Sequence, residues 1–164
     1  MKTTFHVKQI SSDEAKAQAF AIRMRVFVRE QRVPVEIELD DDDRRAIHFL
    51  AVANGRAVGT ARVVIHGKSA KIGRMAVLKT YRRKGIGAAL LERAVAAAQR
   101  RHARRIYLHA QVAVIGFYEK QGFRCAGPVF DEAGIAHRKM ILRKKIGAEK
   151  KRFNRKERKG RKIG

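Results

Sequence analysis

YRRKGIGAALLERAV, Tyr81 to Val95, joins a basic, glycine-punctuated turn directly to an amphipathic helix. Arg82, Gly85 and Gly87 stand at the spacing Arg-x-x-Gly-x-Gly. Glycine permits backbone conformations and close approaches that a Cβ forbids. The first turn of a helix presents unpaired N–H groups at the positive end of its dipole. With Arg82, Arg83 and Lys84 alongside, the segment suits a phosphorylated ligand. An ordinary glycine turn ahead of a surface helix would carry the same letters, so the flanking sequence has to discriminate. Two familiar phosphate loops are excluded. No Gly-x-x-x-x-Gly-Lys-Ser/Thr occurs, and Leu90 stands where a dinucleotide fingerprint carries its third glycine.

The chain has 164 residues, of which 45% are hydrophobic, a size and composition for one core. No apolar run approaches the ~20 residues of a membrane span, and MKTTFHVKQI lacks the apolar centre of a signal peptide. The lone cysteine, Cys125, can form no internal disulfide, and a cytoplasmic protein is the expectation. Between Phe123 and Ala126 it reads as a small buried residue rather than a nucleophile.

The formal net charge of +24 is unevenly placed. Residues 143–164 hold twelve Lys/Arg and two Glu, against 27 Lys/Arg and 13 acids in the rest. We therefore expect one domain over residues 1–142 and a basic tail over 143–164. That tail is too poor in apolar residues to offset chain entropy by burial and is expected to be disordered. Such an arm suits RNA or the ribosome; it reads equally as a solvated extension without a dedicated partner.

Working outward from the glycine turn, Lys71 to Leu78 reads as the strand before it, and the helix runs to about Arg101. The inner face of that helix is Ile86, Leu90, Leu91, Ala94 and Ala98. Upstream, Ile47 to Ala53 and Ala57 to Ile65 flank Asn54-Gly55, a strong hairpin signal. Thr3 to Gln9 alternates as a first strand. Ser11, Ser12 and Asp13 offer N-caps to a helix through Ala15, Ala19, Ile22, Val26 and Phe27, which fails near Gln31 to Pro34. An irregular acidic run extends to Arg45. Downstream come a strand (Ile106 to Ala110), a short helix (Val112 to Gln121) and an antiparallel pair, Phe123 to Ala126 with Ile135 to Leu142. The order β-α-β-β-β-α-β-α-β-β is that of a mixed α/β domain.

Three motifs in this order resemble the GCN5-related N-acetyltransferase (GNAT) superfamily. They are GRMAV (Gly73 to Val77) before the loop, Arg82-x-x-Gly85-x-Gly87 opening the helix, and GFYEKQGF (Gly116 to Phe123) later. RVFVREQRVP (Arg25 to Pro34), the acidic run to Asp43, His48 and EAGIAHRKM (Glu132 to Met140) resemble its ElaA-like branch. The resemblance implies the acyl-CoA N-acyltransferase fold, a mixed, largely antiparallel sheet flanked by helices. It also implies acetyl transfer from acetyl-CoA to an amine by direct attack, without an acyl-enzyme. The chemistry is then mostly orientation, proton management and oxyanion stabilisation.

By the same resemblance, backbone N–H groups of Arg82, Arg83, Lys84, Gly85, Ile86, Gly87 and Ala88 cradle the pyrophosphate. Backbone of Met75, Ala76 and Val77 pairs with the pantetheine arm, and a main-chain N–H near Val77 polarises the thioester carbonyl. Gln111 falls where many members carry a cofactor-bonding asparagine, so the amide here sits on a longer stem. Tyr118 matches the tyrosine near the CoA sulfur, where its hydroxyl could protonate the departing thiolate.

Many members carry a glutamate base on the strand before the loop. Here that strand offers Arg74, so the base is left open among His109, Glu30, Glu36, His137 and a water chain. Phe27, Glu30, Gln31, Glu36 and His137 are expected on the acceptor side. The acidic island of Glu36, Glu38 and Asp40 to Asp43 would draw a cationic amine, such as a polyamine, an aminoglycoside or a peptide amine. A solvated loop paired with Arg44 and Arg45 is its plainer reading. The scattered histidines (His6, His48, His66, His102, His109 and His137) lack zinc spacing, so no metal is expected. A monomer or homodimer acting on a small-molecule or peptide amine is the enzyme reading. The competing reading is a nucleic-acid- or ribosome-associated protein that uses the acetyltransferase core as a scaffold.

Overall fold

Among the described residues, alternating and continuous apolar runs become eight strands of one sheet, ordered β1-β2-β3-β4-β5-β8-β6, with β7 paired to β8. The structure is a computed structural model and describes residues 3–143. The strands are β1 (Phe5–Ile10), β2 (Ile47–Ala53), β3 (Arg56–His66), β4 (Ser69–Val77), β5 (Arg105–Gln111), β6 (Phe123–Cys125), β7 (Phe130–Glu132) and β8 (Ile135–Leu142). The helices are α1 (Asp13–Arg23), α2 (Val35–Glu38), α3 (Ile86–Arg100) and α4 (Ile115–Lys120).

Ser12 caps α1, its Oγ accepting the Ala15 N–H at 3.1 Å. Beyond Arg23 the helix widens into a π-helical segment, Met24–Glu30, and stops at Gln31, whose N–H reaches the Val26 carbonyl. The acidic run is ordered rather than irregular: α2 follows Pro34, and Asp41–Arg44 form a 3₁₀ turn closed by a reciprocal Asp40/Asp43 capping box. Asn54 and Gly55 both take positive φ, 52° and 73°, which makes the β2–β3 hairpin tight.

Helices cover both faces of the sheet. Phe20 of α1 meets His48 edge-on, with ring centroids 5.8 Å apart, while Arg93 of α3 lies over the ring of the next residue, Phe49, at 5.7 Å. Neighbouring strand residues point to opposite faces, so α1 and α3 lie on opposite sides of β2. This explains why β2 is a continuous apolar run. The expected inner face of α3 is buried as read, with Leu90 and Leu91 at 0% and 1% exposure. Each contributes roughly 2–3 kcal/mol at most.

The helix approaches closely only because β3 carries Gly59. A Cβ there would meet Leu90 Cδ1 at 3.0 Å, the Ala76 carbonyl at 3.2 Å and Ile86 Cγ2 at 3.3 Å.

Three expectations are corrected. The loop between β6 and β8 contains a further strand, β7, because Ala133-Gly134 turns it back onto β8 with Phe130 opposite His137. Val112 to Gln121 is not one helix: a 3₁₀ turn (Val112–Val114) precedes α4. Cys125 is half-buried rather than buried, since β6 lies at the end of the sheet order.

Candidate active site

β4 and β5 run parallel, yet they pair only from Ser69↔Arg105 to Ile72↔Leu108. Beyond Ile72 they part, because β4 carries a bulge. Thr60 pairs with Ala76 and Arg62 with Gly73, so Arg74 and Met75 together oppose one β3 residue. Arg74 takes φ +50° to make this bulge. What holds a non-glycine residue there is the acidic loop. The Arg74 guanidinium donates from Nε to the Glu38 carbonyl at 3.1 Å and lies 3.0 Å from its carboxylate; Nη2 donates to Asp40 Oδ2 at 3.1 Å.

The same loop binds two more arginines. Arg23, 1% exposed, donates to Glu38 Oε2 at 2.9 Å and Asp43 Oδ1 at 2.7 Å. Arg62 donates to Asp40 Oδ1 at 2.6 Å and Asp43 Oδ1 at 2.8 Å. Burial pushes the Asp43 carboxyl up, but Arg23 and Arg62 overcome it and hold the group at about 2. Burial wins for Glu38, whose pKa is raised despite Arg74 and Arg23. Glu38, Asp40 and Asp43 are thus spent on Arg23, Arg62 and Arg74. Half of the island is therefore a structural brace, while Glu36 and Asp41 stay exposed; of Arg44 and Arg45, the loop's expected partners, Arg45 pairs with Asp42 at 3.0 Å. Sequence distance hid this, because the arginines come from α1, β3 and β4.

The glycine turn stands at the end of the parted β4. Gly85 has φ +85°, a conformation glycine adopts without penalty, and begins α3 without a side-chain cap. The first intrahelical bond is Ala89 N–H to the Gly85 carbonyl, so the N–H groups of Ile86, Gly87 and Ala88 have no partner within the helix. No acidic side chain occupies that first turn. Ile86 turns its side chain into the core, at 1% exposure, which leaves its backbone to face the ligand side. These residues fit a phosphate group. Arg83 and Lys84 are exposed beside them. Arg82 is engaged: Nε donates to the Val77 carbonyl at 2.8 Å and Nη2 to both Glu30 oxygens at 3.0 Å.

The Val77 contact also orients the strand edge. Leu78 N–H donates to the Val58 carbonyl, and Ala76 pairs with Thr60. By ladder alternation Val77 directs its N–H and C=O away from β3, toward the parted edge. Met75 lies on the same stretch, and Tyr118 of α4 reaches it, with the hydroxyl 3.9 Å from its sulfur. Burial pushes the Tyr118 phenol up to about 12.

Across the gap, Tyr107, His109 and Gln111 share the β5 face opposite to the buried Ile106, Leu108 and Ala110. Gln111 Nε2 donates to Gln31 Oε1 at 2.8 Å, which marks this as the α1 side and carries the π-segment's end across to β5. On β4, Gly73 keeps the floor open: a Cβ there would meet nothing within 4 Å. His109 Nδ1 lies 2.9 Å from Glu132 Oε1, and Glu132 Oε2 is 3.9 Å from His137 Nε2. Phe130 packs edge-on to His109 at 5.0 Å. Burial lowers the His109 pKa, with Lys71 adding to it and the Glu132 hydrogen bond opposing.

The structure therefore brings His109, Gln111, Gln31, Tyr118 and Met75 to the parted strands. Phe27 packs half-buried against the core, and Glu36 is exposed on α2. His137 is 6% exposed, with Nδ1 bonded to the Ile135 carbonyl at 2.7 Å. Glu132 was missed as a site residue; its only sequence signal was its place in EAGIAHRKM. Among the described residues, no group of three His, Cys, Asp or Glu could hold a metal ion. Among the same residues, no helix is long and apolar enough to cross a membrane. The expected basic tail lies, beyond Arg143, outside the described residues.

Residues 4–144 match the family model described as "Acetyltransferase (GNAT) domain". A Bacillus subtilis (strain 168) protein provisionally named an acetyltransferase is 38% identical over 135 residues, 80% of this chain and 92% of that protein. The uncharacterized N-acetyltransferase YjcF of the same organism is 33% identical over 131 residues, 79% of this chain and 94% of its own. The crystal structure of Escherichia coli ElaA superposes with a TM-score of 0.76 at 25% identity, covering 85% of this chain and 99% of ElaA.

Proposed function

This chain belongs to the GNAT acetyltransferase domain family, and on that premise we propose that it moves an acetyl group from acetyl-CoA to a primary amine by direct attack in a ternary complex. The observation that carries the reading is the uncapped α3 N-terminus standing beside the parted β4 edge. Acetyl-CoA supplies the acetyl group as an activated thioester. The N–H groups of Ile86, Gly87 and Ala88, flanked by Arg83 and Lys84, hold its pyrophosphate. The Met75–Val77 edge takes the pantetheine arm as an added strand, with Gln111 opposite it. The Val77 N–H donates to the thioester carbonyl oxygen.

The acceptor nitrogen gives a proton to His109 and forms the C–N bond as the C–S bond breaks, its electron pair leaving on sulfur. Tyr118 donates a hydrogen bond to that sulfur. A phenol held at about 12 is a weak acid beside a thiol of roughly 8.5. Tyr118 therefore stabilises the thiolate without surrendering its proton outright. The acceptor enters on the α1 side, between Gln31 and His109. Any preference for a cationic amine rests on Glu36, Asp41 and Asp42 alone, because Glu38, Asp40 and Asp43 are neutralised by arginines.

The test is a panel of primary amines and peptides with acetyl-CoA, followed by free-thiol release, beside calorimetry with CoA. Turnover of at least one amine and saturable CoA binding are expected. Absence of CoA binding at about 1 mM, weaker than about 4 kcal/mol of affinity, overturns the reading.

A further inference from the structure

We infer that Glu132 is a positioning residue that holds the His109 proton on Nδ1 and leaves the Nε2 lone pair to take the acceptor's proton. The inference rests on the acetyl-transfer reading and names the base that reading requires. It starts from an elimination among the available groups. β4 reads SAKIGRMAV and offers no carboxylate at the cleft. Glu30 is held by Arg82, and Glu38, Asp40 and Asp43 are held by Arg23, Arg62 and Arg74. His137 is buried, with Nδ1 on the Ile135 carbonyl. Glu36 is exposed on α2 and makes no ion pair or side-chain hydrogen bond among the described residues that would hold it at the cleft.

His109 differs from all of these. Its Nδ1 is satisfied by Glu132 at 2.9 Å. Among the described residues Nε2 makes no hydrogen bond, and no buried side-chain nitrogen or oxygen lacks a partner, so Nε2 is not sealed from solvent. An acceptor carboxylate at Nδ1 selects the tautomer with hydrogen on Nδ1 and a lone pair on Nε2. It also stabilises the imidazolium formed when Nε2 takes a proton. Gly73 and His109 each follow the last β4–β5 pair, Ile72↔Leu108, and a Cβ on Gly73 would meet nothing within 4 Å.

The charged and titratable groups facing His109 are Lys71 of β4, Tyr107 of β5, Glu132 of β7, and His137 and Lys139 of β8. Burial, Lys71 and His137 disfavour the imidazolium, while Glu132 favours it. The imidazole is thus neutral and basic near neutrality and is protonated as pH falls. β7 lies within the β6–β8 connection, and its return onto β8 brings Glu132 to His109 of β5.

The test has two arms. Imidazole ¹⁵N NMR of the free protein is expected to show the Nδ1–H tautomer for His109, with a lower pKa in Glu132→Gln than in the native chain. The Nε2–H tautomer, or an unmoved pKa, overturns the inference even if no acceptor has been found. In turnover with an amine from the panel, His109→Gln is expected to lower kcat about 10²-fold or more and Glu132→Gln about 10-fold or more, with KM for acetyl-CoA unchanged. The acid limb of kcat in Glu132→Gln moves to lower pH, because the imidazolium has lost its counter-charge. Glu132→Asp, which keeps the carboxylate, recovers part of the rate. An unmoved acid limb, or equal losses in the Gln and Asp variants, overturns the inference. Failure of acetyl-CoA turnover together with failed CoA binding overturns the proposed function instead, and the NMR arm separates the two.

Discussion

Arg82 and Glu30 tie the glycine turn to the end of the α1 π-segment, with Nη2 of Arg82 3.0 Å from each Glu30 oxygen. The side chains are 39% and 35% exposed, so the pair is worth about 0–1 kcal/mol. Arg82→Ala removes the charge-assisted donor to the Val77 carbonyl that orients the strand edge and is expected to weaken CoA binding about tenfold, with little change in melting temperature. Glu30→Ala releases Arg82 and should leave CoA affinity unchanged or tighter. Calorimetry of both variants checks this, and an equal loss in the two would assign the effect to the pair rather than to Arg82.

The Arg23, Arg62 and Arg74 network predicts a large stability effect. Arg23→Met leaves Glu38 and Asp43 without one partner in a buried setting and is expected to cost about 3–5 kcal/mol in denaturant unfolding. Asp42→Asn, which touches only the exposed Arg45, should cost under about 1 kcal/mol. A loss below about 1 kcal/mol in Arg23→Met would show that the network is not holding the loop.

The same network sets acid sensitivity. Asp43 is depressed from its ordinary 3.8 to about 2, so in the folded state it binds its proton less readily than in the unfolded chain. Its contribution is complete above about pH 4 and is lost as pH falls toward about 2. Unfolding free energy measured across that window should fall, with a shallower slope in Asp43→Asn.

Gly59→Val tests the approach of α3 to the sheet. The new side chain meets Leu90, Ile86 and the Ala76 carbonyl, and overpacking of this kind costs about 1–3 kcal/mol. Because Ile86 opens α3, CoA affinity should fall as well. Unfolding and calorimetry on one preparation check both, and retained CoA affinity would separate the helix start from the site.

Tyr118→Phe removes the hydroxyl but keeps the ring among Phe117 and Phe123. It is expected to lower kcat about 10- to 100-fold, the loss of one transition-state hydrogen bond, with CoA affinity unchanged. In the native chain, ultraviolet titration should show one tyrosine ionising last, near pH 12, and the variant should lack that step. An unchanged kcat would remove Tyr118 from the mechanism.

Local features were legible where local physics governs. Asn54-Gly55 marked the hairpin because only a tight turn with positive φ suits that pair, and the apolar spacing of Ile86 to Ala98 marked the buried face of α3. The split of Val112 to Gln121 was not legible, since a 3₁₀ turn and a short helix share one hydrophobic pattern. β7 escaped because three residues are too few for a period.

Element order, the glycine turn and its family resemblance were carried by residues adjacent in the chain, and adjacency is what spacing and propensity record. The fate of the charges was not. Glu38, Asp40 and Asp43 looked available for an acceptor until the fold set Arg23, Arg62 and Arg74 against them. His109 and Glu132 are 23 residues apart, and only the curl of β7 onto β8 made them a pair. Which ionisable groups meet depends on strand order and register, settled by burial across the whole sheet, so it is in the tertiary structure that the acidic loop became a brace and His109 acquired its carboxylate.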